Sequence, residues 1–149
     1  MSKLQITDIG TGAPATESDG VALRKQGNPG KPDEGFADGE LDGVCLFYRA
    51  TVTAAETATM SFLRLWGFSR IHSSTGEWYP IGPAVSGGTD ADRGKLNNLV
   101  SLTEIASGDD KIRFTQIISE LGNFERVYLQ EGTSGGAGYA SVAWLLQGR

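Results

Sequence analysis

The only histidine, His72, is followed directly by Ser73 and Ser74, which places a base beside two hydroxyls. Nucleophilic catalysis needs base and nucleophile held in hydrogen-bond reach by a third group, and neighbours within one turn rarely hold that geometry. His72 reads as an exposed turn residue. Glu77, next to Trp78 and Tyr79, could supply one carboxylate and a sugar-stacking platform. A retaining glycosidase needs a second carboxyl group about 5 Å away across a cleft, and no matched strand offers one. Asp90 and Asp92 open like a calcium loop, but the third acidic position and the closing glutamate are missing. The adjacent acids Asp109 and Asp110 read as solvated. Glycine clusters at 86–88 and 132–138 carry no phosphate-binding lysine and precede no helix, so they read as turns. Cys45 lies in an apolar run that favours a buried thiol, and one cysteine makes neither an internal disulfide nor a ligand pair. Trp66, Trp78 and Trp144 could line a carbohydrate groove, but their places on alternating strands favour core packing. No catalytic residue, metal ligand or cofactor site emerges.

The formal charge of −5 comes from one stretch. Asp8 to Gly43 holds eight acidic residues against three basic ones, and the rest of the chain has ten of each sign. The same stretch carries eight of the 21 glycines and three of the five prolines, punctuation that disfavours helix and continuous strand alike. Its large apolar residues are few: Ile9, Val21, Leu23, Phe36 and Leu41. Residues 1–43 therefore read as an extended acidic arm ahead of a β-domain at 44–149. Ordering one residue costs about 1–2 kcal/mol of backbone entropy, more than so few apolar groups return unaided. The expectation is an arm whose anchors Val21, Leu23, Phe36 and Leu41 order in grooves on a neighbouring subunit. Within it, Lys3 to Ile9 alternates like a short strand paired to something.

The acidic balance argues against nucleic-acid binding, because arginines 49, 64, 70, 113 and 126 are scattered among apolar positions. No run is long enough to span a membrane, and MSKLQITDIG lacks the apolar core of a signal peptide. Synthesis in a cytoplasm is expected.

From Val44 onward the chain turns dense and β-branched. Val44 to Thr53 alternates with period two, Val44, Leu46 and Tyr48 opposing Cys45, Phe47 and Arg49. Thr59 to Ile71 is apolar on both faces; Arg64 and Arg70 interrupt the side of Phe62, Trp66 and Phe68, which is then partly wet or meets another chain. Gly67 within it suggests a bulge or a close backbone approach. Glu77 to Ile81 is the returning strand. Lys95 to Ala106 and Lys111 to Leu121 fit helical spacing as well as strand, and we read strands, the second followed by a hairpin turn at LGN. Phe124 to Glu131 and Tyr139 to Gln147 complete the series.

Seven or eight short strands without a strong helix predict an all-β fold. We expect an antiparallel, jelly-roll-like β-sandwich burying Leu46, Tyr48, Leu63, Leu65, Val127, Leu129, Val142 and Trp144.

The strands LRLWGFSRI, GEWYPIG, FERVYLQEG and YASVAWLLQG, the last following GTSGGAG, resemble small virion β-proteins of tailed bacteriophages. That group includes capsid decoration (cement) proteins and head–tail attachment domains. The resemblance implies a non-enzymatic structural protein of the virion, most simply a decoration protein that stabilises an assembled head. Its partners would be the major capsid protein or other virion subunits, with a dimer or trimer of the chain itself. It implies no cofactor, no nucleic acid and no membrane. The alternatives are a carbohydrate-binding jelly-roll module and a tail- or head-fibre attachment domain.

Overall fold

The computed structural model describes residues 3–6, 9–24, 35–37, 39–52, 58–81, 98–100, 103–105, 112–118, 121–134 and 139–147. Its strands are β1 (Lys3–Ile6), β2 (Val21–Ala22), β3 (Val44–Val52), β4 (Ala58–Ser69), β5 (Glu77–Ile81), β6 (Asn98–Val100), β7 (Thr103–Ile105), β8 (Ile112–Ile118), β9 (Arg126–Ser134) and β10 (Tyr139–Gln147). Among the described residues the only helical pieces are single 3-10 turns at Glu17–Asp19 and Leu121–Asn123. None is long enough to cross a membrane.

The strands form two antiparallel sheets, one ordered β1-β10-β3-β8 and the other β2-β9-β4-β5, with β6 and β7 also paired to β4. Apart from those two, each early strand pairs with a late one in mirrored chain order: β1 with β10, β2 with β9, β3 with β8, and β4 with β5. The chain is thus a long hairpin, its tip at the β4–β5 turn, rolled so that the strand pairs β1–β10, β2–β9, β3–β8 and β4–β5 alternate between the two sheets. This is the jelly-roll sandwich. The lengthwise seams β10–β3 and β9–β4 close the two sheets.

Period-two alternation decides what faces inward. β3 turns Val44, Leu46 and Tyr48 to the core, β4 turns Leu63 and Leu65, and β9 turns Val127 and Leu129, all at most 2% exposed. These six of the expected core positions, with Val44 beside them, are buried as the alternation requires. On β10 the expectation is corrected. Ala143 and Leu145 are the buried residues, whereas Val142 and Trp144 are half-buried on the opposite face.

A second correction concerns residues 1–43. Leu4 and Ile6 of β1, then Leu23, Phe36 and Leu41, join the same core cluster as the later strands, and Val21 packs against it. Backbone hydrogen bonds fasten the segment: Leu23 N–H donates to Glu125 O at 3.0 Å, and Phe36 N–H to Leu23 O at 2.7 Å. The Arg24 guanidinium donates to the carbonyls of Phe124 (3.1 Å) and Gly122 (3.2 Å). The four anchors expected to seek a neighbour are satisfied within their own chain, and a boundary at 43/44 would divide the core. A third correction is the turn at 121–123. It does not close a hairpin, because β8 and β9 belong to different sheets. It is an arch whose Leu121 plugs the core.

Gly67 is a close approach. β4 stays in register there with both neighbours, and an added Cβ would overlap the Phe124 ring. The register shifts of β4 lie elsewhere, between Met60 and Phe62 against β9 and between Leu63 and Arg64 against β6. Gly67→Val is expected to destabilise the fold by about 1–3 kcal/mol through overpacking. A urea midpoint equal to that of the parent would contradict the contact.

Candidate functional site

Each sheet has one face turned away from the core, and the two differ in what covers them. The outer face of β2-β9-β4-β5 is covered by the chain itself. Gly10 pairs with Gln130 beside β9, and the following residues cross over the sheet before β2 rejoins it at Val127. Tyr128 Oη donates to Gly12 O (2.9 Å), Gln130 Nε2 to Thr11 O (3.1 Å) and Trp78 Nε1 to Thr16 O (2.8 Å). Beneath this strap Trp78 makes edge contacts with Phe68 and Tyr128 at centroid distances of 5.2 and 6.2 Å. Trp66 Nε1 donates to Gln130 Oε1 at 2.9 Å. The aromatic side of β4 therefore meets its own N-terminal segment where a second chain was one expectation.

Charge fastens the strap. Glu17 accepts from Arg70 at 2.5 Å and lies 3.4 Å from Arg126, while Arg70 also holds Glu125 at 2.8 Å. The Arg70 hydrogen bond holds the Glu17 carboxyl below its ordinary value. Asp19 is lowered by the backbone N–H groups of Thr16 and Ala15, which it caps at 2.8 Å each. Both carboxyls bind protons less readily folded than unfolded. Their contribution is full above the ordinary carboxylate range and is lost as pH falls through the lowered values. Acidification should therefore free the strap first. The expected readout is faster hydrogen exchange of the Trp78 indole N–H while the Leu129 amide stays protected; simultaneous loss of both would contradict it.

The outer face of β1-β10-β3-β8 has no such cover among the described residues. The register aligns Gln5, Trp144 and Phe47 in one row, and Lys3, Leu146 and Cys45 in the next. Val142 lies opposite Arg49 in a third row, and Arg113 of β8 lies opposite Arg49 on its other side. Phe47 is 42% exposed, while Trp144, Val142, Leu146 and Cys45 are each partly open to solvent. Cys45 is a free thiol on this face, not a core residue. Lys3 Nζ sits 5.5 Å from the Trp144 ring centroid, a cation–π contact at the edge of the patch. No strand of this sheet contains Asp or Glu, yet three contain a cation: Lys3, Arg49 and Arg113. Among the described residues a buried nitrogen, Nε of Arg49, has no hydrogen-bond partner, and a surface cavity of about 240 Å³ with Arg49, Ala140, Ser141 and Val142 in its lining adjoins it.

Among the described residues, those singled out for chemistry do not converge. His72 is exposed, its ring centroid 6.4 Å from that of Tyr79. Ser73 Oγ is engaged in its turn with Thr75 Oγ1 (2.9 Å) and the Thr75 N–H (3.3 Å). Glu77 accepts from Tyr79 Oη at 2.6 Å, which raises the phenol above its ordinary value. Asp90, Asp92, Asp109, Asp110 and the glycines at 87–88 and 135–138 lie outside the described residues. Among the described residues no three His, Cys, Asp or Glu side chains gather as a metal site would require. One polar cluster escaped the sequence reading: Glu131, 6% exposed on the core face of β9, accepts from Tyr48 Oη and from Ser141 Oγ at 2.9 Å. It ties β9 to β3 and β10 across the sandwich. Period two places Glu131 in line with Val127 and Leu129, a signal that was available.

Compared with protein-family models, curated proteins and solved structures, the chain matches none.

Proposed function

We propose that the chain is a non-enzymatic structural protein of a virion, a decoration protein that seats the outer face of β1-β10-β3-β8 on an assembled phage head. The observation that carries this reading is the apolar sheet face itself. Phe47 and Trp144 stand side by side on a sheet edged by cations, whereas the opposite sheet is already covered. Contiguous apolar surface of this kind marks a protein contact more often than a catalytic site. The jelly roll is compatible, being a fold of capsid subunits and of lectins alike, and it decides neither. Against the carbohydrate reading, the indole N–H groups of Trp66 and Trp78 are both engaged within the chain.

Cryo-electron microscopy of native particles tests the proposal. The expected result is regularly spaced copies on the head lattice with this face against the shell, lost in Phe47→Asp while the variant keeps its melting temperature. Particles without the protein, together with reproducible sugar binding on a glycan array that Trp78→Ala removes, would replace it with the carbohydrate reading.

A further inference from the structure

Arg49 is an unusual residue for a half-buried sheet face. Its Nε is shielded from water without an acceptor, in a structure where buried donors are almost always paired. Arg113 of β8 is its partner in backbone register, and a guanidinium donor without an acceptor is satisfied by an anion. The cavity beside Arg49 leaves room for such a group. Phe47 lies two residues away on the same strand, so the two side chains leave the same face from Cα atoms about 7 Å apart.

We propose that this face docks a partner protein whose contact surface is apolar at its centre and carries a carboxylate that seats on Arg49. The inference rests on the sheet face being a protein-docking surface and adds the chemistry of what it accepts. A planar guanidinium matches a carboxylate in two-point geometry, and burial of the pair needs that match. A second copy offering the same face does not supply it. Among the described residues the strands of that face carry cations, Lys3 and Arg49 among them, and no acid, so two copies would bring cations together around an unpaired guanidinium. The partner is a different surface, acidic where this one is basic.

The test uses the intact chain and small probes that combine a ring with a charge. 4-Phenylbutyrate carries both groups on a short flexible chain, and 4-phenylbutylamine reverses the charge. In NMR titrations the acid should shift the Trp144 indole and the Arg49 Nε–H, while the amine should leave both in place. Arg49→Gln should weaken the acid by about tenfold or more, Arg49→Lys should restore only part of it, and both variants should melt like the parent. Equal binding of acid and amine, or no loss in Arg49→Gln, would overturn the proposal. So would self-association in sedimentation that Phe47→Asp abolishes, since the occupant would then be a second copy. Tighter binding of a short oligonucleotide than of the acid, lost in the same variant, would assign the site to phosphate and overturn it likewise. None of these arms needs a virion. Absence of the protein from phage heads would remove the decoration role and leave the acid-seating result standing.

Discussion

Deleting residues 1–43 is expected to abolish cooperative unfolding of what remains. The sequence alone suggested the reverse, that the sandwich would fold without its acidic stretch. In the rolled hairpin, β1 and β2 are the mirror partners of β10 and β9, so truncation strips both late strands of a neighbour. It also removes Leu4, Ile6, Leu23, Phe36 and Leu41 from the core, each at most 4% exposed. Burying such a side chain stabilises by about 1.5–3 kcal/mol. Five of them together are comparable to the whole stability of a typical domain, about 5–15 kcal/mol. The shortened chain should show no sharp thermal transition by circular dichroism and should bind a hydrophobic dye. Within the full chain, Phe36→Ala alone should cost about 3–5 kcal/mol. A truncated protein that melts cooperatively near the parent temperature would show that the segment is dispensable.

Leu145→Ala is expected to destabilise the protein by about 2–5 kcal/mol, the cost of a cavity in a packed core. Trp144→Ala, one residue away, should cost about 1 kcal/mol or less in spite of its larger side chain. The difference follows from register: Leu145 is fully buried opposite Leu46 and Leu4, whereas Trp144 shares the outer row with Phe47 and Gln5. Urea midpoints measured with an unchanged slope would rank the two. The opposite ranking would mean that β10 presents its other face to the core. Trp144→Ala should act instead on docking, since the half-buried ring stands beside Phe47 on the outer face.

The strands themselves were legible in the sequence wherever only one face is apolar. In β9, Val127 and Leu129 alternate with Arg126 and Gln130, and both apolar residues are fully buried, although the strap also closes over Tyr128 and Gln130 on the other face. In β3 the same alternation put Leu46 and Tyr48 inside and Arg49 outside. Composition also told correctly that nearly everything would be strand and turn. It failed where local text is ambiguous by its nature. β10 offers Val142, Trp144 and Leu146 on one face and only Ala143 and Leu145 on the other, so size pointed to the wrong side. A one-residue choice of face is made by the neighbouring strands, here β1 and β3, which lie far away in sequence. The acidic segment failed for a related reason. Its glycines and prolines exclude regular structure locally, but Leu23, Phe36 and Leu41 need no regular structure to fill a core built by others. Sequence by itself determined period, strand content and the charge asymmetry. The tertiary roll decided which outer face is covered among the described residues, because the path of residues 9–20 crosses one sheet and leaves Phe47 exposed, with Trp144 and Arg49 partly so, on the other.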